Sequence, residues 1–226
     1  MAKGPLKTKG GGTMRCVPSA SRGPGRPPAA KAAETRERII RAAREVFSEL
    51  GYDAATFQEI AVRADLTRPA INHYFKSKRL LYREVVERTN QLVVIHSAQK
   101  AFEAQTLLGQ LDAFIDAAVG VDFSDRAAGA FLVTSVLESQ RHPELSREEH
   151  DALRGVREFL TWAVNSAIER GELATDRPIG PLVEMLMAMF WGMGLYAGFV
   201  GSHDELKTIT EEFKRLLIGK LWEWKT

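Results

Sequence analysis

The sequence carries a single cysteine, Cys16, in 226 residues. An intrachain disulfide and a multi-cysteine metal site are both excluded, and the composition fits a reducing compartment. Histidine is sparse too, at five residues. His142 and His150 lack ligand spacing and no paired-histidine helix signature occurs, so no metal and no other cofactor is expected. There is no Gly-x-Ser-x-Gly elbow, no phosphate-binding loop and no dinucleotide fingerprint, which leaves catalysis without a foothold. The lysines after Met1 are not followed by the apolar run of a secretory signal. Alternating apolar and polar stretches of strand type are missing as well. Acidic residues are absent from Met1 to Ala33, where seven basic residues stand. From Glu34 to Asn90 there are eleven basic and nine acidic residues, and from Gln91 to Thr226 thirteen and twenty. The formal charge of +2 hides this gradient. A polyanion would meet the N-terminal third and be repelled by the remainder.

What is present is helical periodicity, with 45% apolar residues to fill cores. The most specific stretch runs from Thr56 to Leu81. Thr56 and Glu59 form a capping box, and Phe57, Ile60, Ala61 and Ala64 share one face of a short helix. Asp65 tolerates a left-handed turn and Leu66 plugs the corner. Thr67 caps a second helix with Pro69 in its first turn. This is the layout of a helix-turn-helix, whose second helix is free to enter a DNA major groove. An amphipathic helix from about Ala32 to Leu50 precedes it, with Ile39, Ala43, Val46, Phe47 and Leu50 inward and Gly51 as C-cap. Arg36 lies near its N-terminus and can touch phosphate, while Arg38, Arg41 and Arg44 are expected in solvent. The tail before it, rich in Gly, Pro and Lys, should be disordered, and Arg22 and Arg26 suit a minor-groove or backbone arm.

Phe47-x3-Gly51-Tyr52-x3-Thr56-x2-Glu59-Ile60-Ala61-x2-Ala64, followed by Phe75-Lys76-Ser77-Lys78-x-Leu80-Leu81, resembles the N-terminal domain of the TetR family of bacterial transcriptional repressors. The resemblance spans about Glu34 to Val86. It implies an all-α fold, DNA binding as a homodimer, and a C-terminal domain that binds a small-molecule effector. Two departures stand out: Asp65 where the family usually has Gly, and Asn72 where it usually has Tyr. The base-reading surface is therefore this chain's own.

Recognition roles follow from side-chain chemistry. Arg68 can pair bidentately with guanine and Asn72 with adenine, while Ala70 and the Thr67 methyl suit a thymine methyl. His73 can reach a base or a phosphate. Tyr74, Lys76 and Lys78 look like phosphate contacts, which the resemblance also implies for Tyr74 and Lys78, and Thr56 can add one to its cap. Ile71 and Phe75 hold the helix from behind.

A fourth helix is expected from Ser77 towards Lys100, with Leu80, Leu81, Val85, Leu92, Val93 and His96 inward. It would act as a lever between head and body. Further helices are expected at about 101–120, 127–140, 147–170, 181–200 and 204–222, with breaks at Pro143, Pro178 and Gly180. Ser146 and Glu149 form another capping box, which accounts for the acidic cluster around His150. Met185 to Gly201 is an uncharged run at the short limit for a membrane span. Three glycines and a nearby Glu184 favour a helix buried on all sides instead, packed partly on a second copy. Gly194, Tyr196, Gly198 and Phe199, with Phe213 and Leu217 of the last helix, are the expected dimer contacts. A hydrophobic effector, of lipid or acyl type, would be held by His96, Phe114, Phe131, Trp162, Met185, Met189, Phe190 and Met193.

The expectation is an all-α chain with a basic tail (1–31), a helix-turn-helix domain (32–78) and a helical ligand-binding and dimerisation domain (79–226). Its partners would be a double-stranded operator, a hydrophobic small molecule and a second copy, with no membrane, in the bacterial cytoplasm at the nucleoid. A non-specific architectural DNA protein and a hydrophobic-ligand carrier without DNA function are the other classes compatible with the residues.

Overall fold

A computed structural model of the chain describes residues 28–124, 126–145 and 151–220, together with Met1 and Gly4. Arg22 and Arg26, the Ser146–Glu149 capping box and the last two residues of the expected helix 204–222 lie outside the described residues. Among those residues every regular element is helical.

The head begins with α1 (Pro28–Ala54), which starts four residues before the expected Ala32. Ile39, Ala43, Val46 and Phe47 are buried as the periodicity requires, whereas Leu50 is exposed. Gly51 breaks the helix at φ 76°, ψ 174°, a region that essentially only glycine occupies. Helices α2 (Phe57–Arg63) and α3 (Arg68–Tyr74) follow. Arg63 ties α2 to α1 through Glu45 at 3.0 Å and Glu49 at 2.6 Å. Hydrogen bonds from Arg63 hold the Glu49 carboxyl below its usual range.

The head core does not stop at Lys78. It takes in Leu81, Tyr82 and Val85 of α4 (Lys78–Asn90), and Phe131 and Leu145 from the body. Phe47 and Tyr52 each meet the Tyr82 ring edge-on at 5.0 Å, and Tyr82 meets Phe131 at 5.6 Å. Such pairs contribute about 0.5–1.5 kcal/mol each beyond the area they bury. Burial first, and the Glu138 carboxylate second, push the Tyr82 phenol well above its ordinary value. The expected boundary at residue 78 thus falls inside a packed core.

Helix α4 continues without a break through a π-helical segment, Gln91–Ile95, into α5 (His96–Ala101). A π-turn inserts an extra residue per turn, so everything beyond it is rotated relative to an ideal α-helix. Two corrections follow from this. Val93, Val94 and Ser97 face inward, while Leu92 and His96 are exposed. Leu80, on the other side of α4, is also exposed.

The body consists of α6 (Leu107–Ser124), α7 (Arg126–Arg141), a 3-10 turn (Pro143–Leu145), α8 (Asp151–Glu169), α9 (Ile179–Phe199) and α10 (His203–Leu217). Its core stacks Phe114 on Phe159 at 4.6 Å and sets Phe190 edge-on to Phe213 at 6.2 Å. A capping box of Ser202 and Glu205 opens α10, a Ser-x-x-Glu signal that the sequence itself carries. Helix α9 is long and apolar enough to cross a membrane by length and composition, and 17% of that window is buried within the chain. Within the single chain Met185, Leu195 and Phe199 form an exposed outer row; burial of that face is expected only from a second copy.

Candidate nucleic-acid interface and effector cavity

The turn between α2 and α3 is closed by backbone chemistry. Leu66 N–H donates to Ala61 O at 2.9 Å and Asp65 N–H to Val62 O at 3.1 Å, the two bonds of a Schellman motif. That motif needs a left-handed residue, and Asp65 supplies it with φ 51°. Thr56 accepts from Glu59 N–H at 3.2 Å while Glu59 accepts from Thr56 N–H at 2.8 Å, completing the capping box. Thr67 accepts from Ala70 N–H at 3.4 Å at the start of α3. Ile71 and Phe75 are buried and fix α3 from behind. Arg68, Asn72, His73 and Lys76 are exposed, and Ala70 and Tyr74 are half-buried. Arg68 and Asn72 are four residues apart and so lie above one another on one face. His73 and Tyr74 meet edge-on at 5.4 Å.

Two expected phosphate contacts are placed elsewhere. The Arg36 guanidinium is bound by both oxygens of Glu84, at 2.7 Å from Nε to Oε1, and lies over the Phe75 ring at 4.4 Å. It joins α1 to α4 and backs α3. Lys78 donates to the carbonyls of Tyr52, Asp53 and Ala55 at 2.6, 3.0 and 3.0 Å, with its ammonium 4.5 Å from the Tyr52 ring. All three of its protons are spent on the end of α1, a role that the free carbonyls beyond a helix C-terminus make possible. Arg44, expected in solvent, is buried, with Nη1 3.5 Å from Thr89 Oγ1.

An apolar cavity of about 100 Å³ lies in the body between α6, α7, α9 and the π-segment. Phe114, Phe190 and Met193 line it together with Trp191, another of the body aromatics, as do Val93 and Val94, which the sequence reading missed as lining residues. The other five expected residues are placed elsewhere. His96 is turned outward by the π-segment, and Phe131 sits on the opposite face of α7 in the head core. Trp162 is exposed beside Phe102 at 4.4 Å, Met185 is on the outer row of α9, and Met189 packs on the core outside the cavity. The Trp191 indole N–H is buried without a hydrogen-bond partner among the described residues.

The expected dimer residues divide in the same way. Phe199 faces outward and is half exposed. Gly194 lines the cavity. Gly198 is packed on α7 so closely that an added Cβ would stand 2.9 Å from Ala130 Cα. The Tyr196 ring covers Gly201 of its own chain. Phe213 is buried in the body core, and Leu217 packs against that core. Glu184 is bound by Arg157 of α8 at 2.7 Å, which holds its carboxyl below the usual range.

The profile described as "Bacterial regulatory proteins, tetR family" matches residues 39–85, and "Tetracyclin repressor-like, C-terminal domain" matches residues 103–211. The HTH-type transcriptional regulator UidR of Escherichia coli (strain K12) is 23% identical over 167 residues, 72% of this chain and 81% of its own. The HTH-type transcriptional repressor BepR of Brucella suis is 28% identical over 170 residues, 72% of this chain and 80% of its own. Among solved structures, the fatty acid degradation regulator FadR from Bacillus halodurans superposes with a TM-score of 0.70 at 19% identity, covering 84% of this chain and 97% of its own.

Proposed function

This chain belongs to the TetR family of bacterial regulatory proteins, and we propose that it is a repressor that binds a near-palindromic operator as a homodimer and is released by a hydrophobic effector. The family comprises cytoplasmic transcriptional regulators rather than enzymes. One observation carries the finer reading. A continuous helical rod, α4 to α5, starts at the base of an exposed recognition helix and partway along its length places Val93 and Val94 in the wall of an apolar cavity.

On DNA at the nucleoid, Arg68 reads guanine and Asn72 reads adenine, each pair discriminating by about 1–3 kcal/mol. His73, Tyr74, Lys76 and the Thr56 and Thr67 hydroxyls supply the surrounding contacts, with Ala70 against a thymine methyl. Two heads would span half-sites roughly 34–36 Å apart, or a multiple of that. The outer row of α9, with Phe199, is the surface that a second copy would cover.

The cavity is smaller than the roughly 300 Å³ at which drug-sized sites begin. An effector therefore has to widen it, and adaptable side chains such as Met193 allow this. Widening displaces Val93 and Val94, hence the rod, hence α3 at its far end. The buried Trp191 N–H marks where an oxygen acceptor on the ligand would sit. An apolar, oxygen-bearing effector of acyl type fits both features, and a neighbour described as a regulator of fatty acid degradation is consistent with it.

Selection of random duplexes on the purified protein tests the reading. It should return an inverted repeat, and Asn72→Ala should relax one position in each half-site while leaving the others intact. An unchanged consensus in Asn72→Ala removes the base-reading assignment, and recovery of no consensus removes the operator altogether.

A further inference from the structure

On the side of the rod opposite the cavity, the same π-segment walls a second opening, a polar cleft of about 560 Å³ between α1 and α4–α5. From α1 it takes Glu37, Arg41 and Arg44, and from the rod Arg88, Gln91 and His96. Three guanidiniums thus face one carboxylate. That carboxylate is already engaged, since Arg88 Nη2 lies 2.9 Å from Glu37 Oε1. Arg44 reaches the cleft from a buried position, 5% exposed, so its charge acts where water screens it least. Arg41 is exposed on the adjacent turn. Gln91 and His96 add polar groups on the rod side.

The cleft is not part of the DNA-facing surface. Arg88 and Gln91 are ten and thirteen residues along the rod from Lys78, which at about 1.5 Å per residue puts them roughly 15–20 Å from the recognition end. Nor is it continuous in chemistry with the apolar cavity. A π-segment that turns Val93 and Val94 to the apolar cavity and Gln91 to this cleft is the kind of irregularity that helices keep at functional sites.

We propose that this cleft is a second ligand site, taking a compact polyanion: a small molecule with a phosphate group or paired carboxylates. Its charge is matched by Arg41 on α1 and Arg88 on the rod, with Glu37 released from Arg88 as the anion enters. The bound anion bridges the first head helix to the lever, on the face away from the cavity, and so resists the displacement that cavity widening produces. The site itself stands independently of the operator and of the effector proposed above, whereas its restraint of the rod rests on that reading.

The test is isothermal titration calorimetry of the full chain with inorganic pyrophosphate and, separately, citrate, each at sodium chloride-matched ionic strength. Binding should saturate at one anion per chain for at least one probe, and which probe does so separates phosphate from carboxylate recognition. Affinity should fall about tenfold in Arg41→Gln and again in Arg88→Gln, the loss expected for one charge-assisted hydrogen bond. Both residues are surface-accessible, and unchanged thermal midpoints of the unliganded variants verify that they fold. Hydrogen exchange should slow over residues 37–44 and 88–99. The proposal is overturned by absence of saturable binding to either probe, by an affinity in both variants unchanged from that of the unsubstituted protein, or by protection confined to residues 67–78, which would place the anion on the DNA-facing surface.

Discussion

Lys78 shows how far one residue's role depends on its surroundings. From the sequence it is a cation at the start of a helix beside a recognition helix, and phosphate contact is the natural assignment. In the fold its ammonium closes the end of α1 by donating to three carbonyls and lying against the Tyr52 ring. Hydrogen bonds from a charged donor contribute about 1.5–3 kcal/mol net. Lys78→Met should therefore destabilise the protein by about 2 kcal/mol, a loss of roughly 4–8 °C in thermal midpoint for a chain of this size. A variant with unchanged midpoint, weakened DNA binding and a shallower salt dependence would return Lys78 to the phosphate. Lys78→Arg should not restore stability, because a planar guanidinium cannot match three converging carbonyls. Arg36 follows the same logic through Glu84 and Phe75. The exposed side chains of α3 are the residues whose neighbours leave them available, and for them sequence chemistry remains the guide.

At the scale of elements, α9 and the rod decide how the body works. Glycine on α9 was expected to admit a second copy, but Gly198 admits α7. An added methyl would meet the Ala130 backbone at 2.9 Å, a contact that no side-chain rotation can relieve. Gly198→Ala should therefore cost about 1–3 kcal/mol, measured by denaturant unfolding, through forced separation of α7 and α9. Gly180→Ala, in open space at the other end of the same helix, should change stability by less than about 1 kcal/mol and in the favourable direction. Equal effects at the two positions would mean that α7 and α9 are not in such close contact. The π-segment matters for a related reason. By rotating the rod partway along, it puts Val93 and Val94 on the cavity and Gln91 and His96 on the basic cleft, a division that no ideal 3.6-residue period predicts.

For the whole molecule, head and body share one aromatic cluster, Phe47, Tyr52, Tyr82 and Phe131. Domain motion must therefore pass through packed rings and not through a flexible linker. The outer row of α9 is the main apolar surface left uncovered on that helix, with Leu195 47% and Phe199 50% exposed. Leu195→Glu should leave the fold intact, since the side chain is largely outside the core. It should convert a dimer to a monomer in light scattering and lower operator affinity by about 10²–10⁴ through loss of bivalent binding. A Leu195→Glu protein that remains dimeric would move the interface to another surface.

Local signals settled much of this protein in advance. The Thr56–Glu59 capping box, the Asp65 turn, the Ile71 and Phe75 anchors and the approximate helix spans depend on neighbours within a few residues, and such interactions are written directly in the sequence. Charge distribution likewise marked the N-terminal third as the part a polyanion would approach. What the tertiary structure decided was the partner of each long-range group: Arg36 with Glu84, Lys78 with the end of α1, Phe131 with the head, Gly198 with α7. Helical periodicity says that a face is apolar without saying what covers it. Apolar burial is non-directional, so only the packed fold could choose between core, cavity and a second copy.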